Sequence, residues 1–174
     1  KATSQVSSGE NKASLSEFVS DKSDQKQAIQ EYLDNYPELW KLDSAALFDW
    51  YFQEKAGIDE KYREELSIHF ETYFIAHLTS KSALKNWYKW SLKTLKDLKK
   101  KDYKLELAIL SKALAAYYGN IGDLEKAQEL SNESITYYSY INSISGQAEV
   151  LNMIGNYQYK HLLFTEAIDN WLNL

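Results

Sequence analysis

Few side chains in this sequence are spaced for catalysis. His69 and His77 stand eight residues apart, two helical turns, whereas two histidines that share a metal on one helix stand four apart. His161 falls near a turn, away from both. Glu64 and Glu65 are adjacent and diverge on a helix, which makes a poor acid–base pair. There is no cysteine, no G-x-S-x-G and no glycine loop fit to cradle phosphate. No enzyme, cofactor or metal site is expected. The spacing that does offer chemistry is of the binding kind. Asn152, Asn156 and Tyr159 recur every three to four residues and so share one helix face. Carboxamides both donate and accept, which suits a peptide backbone. Lys81, Lys85, Lys89, Lys93, Lys96 and Lys100 run along one face of another helix. They read as the solvated side of an amphipathic element, with an anionic partner or membrane surface as the alternative. The 14 tyrosines read mostly as core filler, with an exposed subset suited to an interface.

Composition narrows the partners. Net charge is −5, distributed as −6 over residues 1–60, +5 over 61–110 and −4 over 111–174. Arg63 is the one arginine among 20 cationic residues, and planar recognition of phosphate or guanine leans on arginine. Nucleic acid is therefore not expected as a partner. No apolar run approaches the roughly eighteen residues of a membrane span, so no membrane insertion is expected. The absence of cysteine fits either the cytoplasm or the periplasm of a bacterium and leaves localisation open.

With one proline and six glycines, the chain favours long helices. Residues 1–13 are small and polar, a disordered lead-in. Residues 14–58 form N-terminal helices: a short turn at Leu15, Phe18 and Val19, a helix over 23–35 ended by Pro37, and another from Asp43 or Ser44 to Lys55 with Gly57 as its stop. Residues 59–174 hold six more helices, beginning with one capped by Asp59. A break falls near Thr79-Ser-Lys-Ser82. The next helix carries Ala83, Leu84 and Trp87 and ends at Lys99–Asp102. The remaining four are separated by turns at Gly119–Asp123 and Asn142–Gly146 and by a cap at Thr165. The last helix is cut at Leu174, so Ile168, Trp171, Leu172 and Leu174 are expected to face something absent. The start at Lys1 rather than methionine, together with that short last helix, leads us to expect a piece of a longer array, and association of copies through the exposed C-terminal helix is open.

Within this helical stretch a block recurs 40 residues apart. Leu114-Ala-Ala-Tyr-Tyr-Gly-Asn-Ile-Gly-Asp-Leu-Glu-Lys-Ala127 is answered by Ile154-Gly-Asn-Tyr-Gln-Tyr-Lys-His-Leu-Leu-Phe-Thr-Glu-Ala167. In both, an aliphatic residue precedes a small one (Ala115, Gly155), and an alanine follows Leu124 or Phe164 by three. A weaker unit places Phe70, Phe74, Ala83 and Trp87 in matching positions. The pattern resembles the tetratricopeptide repeat family, in units of about 59–100, 103–142 and 146–174. It departs from that family in Ser131 and Glu71, in lacking a unit-ending proline, and in its longer spacing. The resemblance implies an all-α, right-handed superhelix of antiparallel helix pairs whose first helices line a concave groove. Carried onto this sequence, the groove positions are Lys112, Ala116 and Asn120, then Glu149, Asn152, Asn156 and Tyr159. The function so implied is non-catalytic capture of a protein or peptide segment. The alternative is a ligand-sensing domain of a bacterial signalling protein, such as a sensor kinase, a diguanylate cyclase or a peptide-responsive regulator.

Overall fold

A computed structural model describes residues 13–61, 64–80 and 87–173. The expected lead-in therefore lies outside the described residues except for Ala13, as do Arg63, Ser82, Ala83, Leu84 and the first two lysines of the stripe, Lys81 and Lys85. The described residues form nine α-helices and a short 3₁₀ turn at Leu39–Lys41, with no strand among them. The protein is all-α. Its contacts divide it into two compact units, residues 1–70 and 71–174.

In the first unit, α1 (Leu15–Ser20) opens with a reciprocal cap: the Ser14 hydroxyl accepts from the Glu17 N–H, and the Glu17 carboxylate accepts from the Ser14 N–H. Helix α2 (Gln25–Asp34) is capped by Asp24. Helix α3 (Ser44–Lys61) runs straight through Gly57, so that glycine is no stop, and Asp59 lies inside α3 rather than capping the next helix. Gly57 is tolerated there because a side chain at this position meets only Ser16 at ordinary contact distance. Leu47, Tyr51 and Ile58 of α3 are buried, while Phe52 stays 61% exposed, so α3 is less enclosed than its apolar circumference predicts. Glu54 reaches back to accept from the Leu15 N–H at 2.7 Å, joining α3 to the start of α1. Tyr51 stacks on Phe70 at 5.6 Å near the start of α4 (Glu64–Ser80).

The second unit continues with α5 (Trp87–Lys99), α6 (Lys104–Asn120), α7 (Leu124–Tyr140), α8 (Ile144–Lys160) and α9 (Phe164–Leu172). Its backbone keeps a strict metre. From α6 onward each helix starts 20 residues after the last, which halves the forty-residue repeat of the sequence. Asp102, Gly122, Asn142 and Leu162 all have positive φ, at 61°, 84°, 55° and 64°, and each is the residue that reverses the chain. The last three reversals share one closing bond of 2.9 Å: the Asp123, Ser143 and Leu163 N–H groups donate to the Tyr118, Tyr138 and Gln158 carbonyls. Three-residue turns of this kind leave successive helices antiparallel.

The turns are shorter than the sequence suggests. Gly119 and Gly146 sit inside α6 and α8, and Leu163, not Thr165, occupies the cap of α9. Both glycines are packing sites. A methyl group on Gly119 would stand 2.5 Å from the Tyr157 ring, one on Gly146 2.4 Å from Tyr138, and one on Gly155 2.6 Å from Trp171. Three aromatic rings thus rest directly on helix backbone. Ala127 and Ala167, the alanines of the repeated block, are fully buried, and so are Ser91, Ser111 and Ser131 at twenty-residue steps. Small side chains at these positions let neighbouring helices approach closely.

The two kinds of helical glycine are expected to respond oppositely to alanine. Gly57→Ala gains helix propensity without a clash and is expected to stabilise by about 0.5–1 kcal/mol. Gly155→Ala gains the same propensity but displaces the Trp171 indole, and is expected to destabilise by about 1–3 kcal/mol. Urea unfolding of the two variants checks both signs. A Gly155→Ala chain as stable as Gly57→Ala would remove Trp171 from its proposed seat.

Candidate functional site

The residues implied for the groove fall on α6 and α8, and these two helices, separated by α7 in the chain, pack against each other. Ala108, Tyr138 and Val150 form the buried cluster where α6, α7 and α8 meet, with Leu105, Ile135 and Met153 around it. The Ser134 hydroxyl donates to the Ala108 carbonyl at 2.8 Å, holding α7 against α6.

On this base Lys112 and Glu149 bridge α6 to α8, with 2.7 Å between ammonium and carboxylate. The Lys112 ammonium also lies 5.9 Å from the centre of the Tyr138 ring. Burial works against its charge, but Tyr138 and the Glu149 carboxylate outweigh that and raise its pKa above the ordinary lysine value. Lys112 therefore stays cationic at neutral pH. Burial raises the Tyr157 phenol, and the neighbouring Asn120 amide partly offsets the rise. Ala116 is buried and presents no side chain to a ligand.

Further along α8, Asn152 and Asn156 are exposed, and the Asn156 amide donates to the Asn152 carbonyl at 3.4 Å. Tyr159, 54% exposed, stands apart from them at the α8–α9 end. Its ring meets Phe164 edge-on at 5.4 Å and lies 5.9 Å from Trp171. The seven positions thus divide into a bridged pair, an exposed amide at the end of α6, a buried alanine, an open amide pair and an aromatic corner. This face offers fixed hydrogen-bonding groups beside apolar rings. Among the described residues no cluster of histidines and carboxylates is arranged to hold a metal ion, and no helix is long and apolar enough to cross a membrane. Lys89, Lys93, Lys96 and Lys100 of the stripe are exposed on and just beyond α5, where Lys100 pairs with Asp97 at 3.1 Å.

Sequence reasoning missed Gln158. It is buried at 7% exposure and joins three helices: its amide donates to Gln128 of α7 at 3.0 Å, and its carbonyl accepts from Asn170 of α9 at 2.7 Å. The signal was present in the helical phase, since Gln158 follows the buried Ile154 by four residues and so shares its inward face. A glutamine there must find partners on neighbouring helices.

No protein-family model matches this chain, and neither does a curated protein or a solved structure.

Removing the Gln158 amide takes one hydrogen bond from Gln128 and one from Asn170. Gln158→Ala is expected to cost about 1–3 kcal/mol, read from the urea midpoint. A loss no larger than that of an exposed glutamine such as Gln53→Ala would show that the bridge contributes nothing.

Proposed function

We propose that the second unit is a tetratricopeptide-like array of helix pairs, wound as a right-handed superhelix, that captures a protein or peptide segment without chemistry. The reading rests above all on one observation: α6 and α8, alternate helices of the twenty-residue metre, pack side by side and carry Lys112, Glu149, Asn152 and Asn156 on them. Alternate helices that pack in this way are the first members of successive pairs, the place where such arrays bind extended segments. The supporting features are the buried Ala127 and Ala167 at forty-residue spacing and the aromatic rings seated on Gly119 and Gly155.

The mechanism is capture by a rigid polar face. The Lys112–Glu149 bridge holds two helices in register, so that the Asn152 and Asn156 amides are placed before a ligand arrives. Preorganised donors and acceptors reduce the entropy cost of fixing an extended backbone. The ligand contributes its own peptide groups, which an amide can both donate to and accept from.

The test is selection of peptides from a displayed library on the immobilised chain, followed by anisotropy titration of the best binder. Asn152→Ala with Asn156→Ala is expected to weaken that binder about tenfold or more, or at least 1.4 kcal/mol, with the melting temperature nearly unchanged because both side chains are exposed. Lost stability with intact affinity would sink the proposal, and so would a selection that yields no binder.

A further inference from the structure

One-electron oxidation of this chain falls on its aromatic side chains. There is no cysteine, so no disulfide can tie one helix to another and no thiol absorbs an oxidant. The single methionine, Met153, is half-buried on α8. Against that stand 14 tyrosines, and the fold brings two of them together across a helix boundary. Tyr88 lies in the first turn of α5 and Tyr117 near the end of α6, and these neighbouring helices pack against each other. Their rings stack with centroids 4.9 Å apart and planes 11° from parallel. Rings so close and so nearly parallel hold carbon atoms at contact distance, about 3.5–4.0 Å.

Other tyrosine contacts have a different geometry. Tyr32 and Tyr36 meet edge-on at 65°, as do the sequence neighbours Tyr117 and Tyr118 at 77°, so neither pair lays one ring over the other. The Tyr32 hydroxyl is also engaged, donating to the Ala13 carbonyl at 3.1 Å. Tyr88 and Tyr117 are both half-exposed, so a small oxidant reaches them, and so does the water that takes up protons. Burial, with the facing Tyr88 and Tyr118 phenols, raises the Tyr117 phenol above its ordinary value. That phenol therefore holds its proton at neutral pH and releases it together with an electron.

We propose that Tyr88 and Tyr117 are a dityrosine site, at which a one-electron oxidant joins α5 covalently to α6. The oxidant class is a radical or a photo-oxidised metal complex that accepts single electrons. Each phenol gives one electron to the oxidant and its hydroxyl proton to water, leaving two neutral phenoxyl radicals. The unpaired density on each ring lies on the oxygen, on Cγ and on the two Cε carbons. A Cε of Tyr88 couples to a Cε of Tyr117, and one carbon–carbon bond forms. The two Cε–H bonds at the junction then break, their protons leave to solvent, and each oxygen takes a proton back to restore the phenols. In balance the chain loses two electrons and two protons for one new bond. The fold supplies the proximity, since two radicals already in contact combine before either meets a second molecule. The bond closes the chain from residue 88 to residue 117 and restricts the unfolded state as a disulfide does.

Photo-oxidation of the dilute 174-residue chain with a ruthenium(II) bipyridyl complex tests this, with persulfate as the final acceptor of both electrons. The monomer is isolated by size exclusion, digested and read by mass spectrometry. The expected main cross-link joins the peptides that contain Tyr88 and Tyr117, with a mass below their sum by two hydrogens. Tyr88→Phe retains the ring but has no phenol to oxidise, and is expected to lose that product along with the dityrosine fluorescence of the monomer. Tyr140→Phe, at an exposed ring, is expected to retain both. The same oxidation in urea, where the stack is gone, is expected to lose the specific pair, which separates the effect of geometry from intrinsic reactivity. A monomer without dityrosine overturns the proposal, and so does one whose dityrosine mainly joins other residues. The 88–117 product formed equally in urea, or monomer fluorescence that survives Tyr88→Phe, overturns it as well.

Discussion

The second unit depends on aromatic rings lying against bare helix backbone. Tyr157 on Gly119, Tyr138 on Gly146 and Trp171 on Gly155 each leave no room for even a methyl group. Glycine in a helix interior costs about 0.5–1 kcal/mol relative to alanine. That penalty is offset only where a neighbour fills the space, and a tyrosine or tryptophan ring fills it with more apolar area than any aliphatic side chain. Each seat therefore fixes the distance and rotation of one helix against another. Much of the polar detail sits on these seats. Tyr138 carries Lys112 and through it the bridge to Glu149.

A second constraint acts along the chain. Helices of 17 residues joined by three-residue reversals repeat the same closing bond, so the helix ends stay level. Level ends allow Gln158 to meet Gln128 on one neighbour and Asn170 on the other at 3.0 and 2.7 Å. A buried amide bridge tolerates little slippage, since a shift of one residue in any of the three helices would strand its donors and acceptors. Apolar packing draws the helices together, and the amides make one register better than the others.

Much of this was legible in the sequence. The repeated block located the buried Ala127 and Ala167 and the close approach at Gly155, because only small residues fit between packed helices. Low glycine and proline usage announced the helices themselves. What escaped was where the helices stop. Gly57, Gly119 and Gly146 read as terminators because glycine favours both turns and close contacts, and residue type alone does not separate the two uses. Tertiary packing decides: Tyr157 and Tyr138 lie against two of these glycines, while the real reversals fall at Gly122 and Asn142. Thr165 read as a cap for a similar reason. Its hydroxyl is suited to capping, but the metre places the cap two residues earlier, at Leu163, which no local rule would select.

The forty-residue register also gives one helical phase two fates. On α6 it runs through Ala108, Ala116 and Gly119, all buried. On α8 it runs through Ala148, half-buried, then Asn156 and Tyr159, both exposed. Where another helix lies against the face the residues are small, and where the face is open they carry amides and a phenol. Divergence inside an otherwise repeated block thus reports coverage. By that rule the exposed reversal at position 162 calls for glycine or asparagine, as at 122 and 142. Leucine meets neither the backbone demand of positive φ nor the solvent demand of exposure.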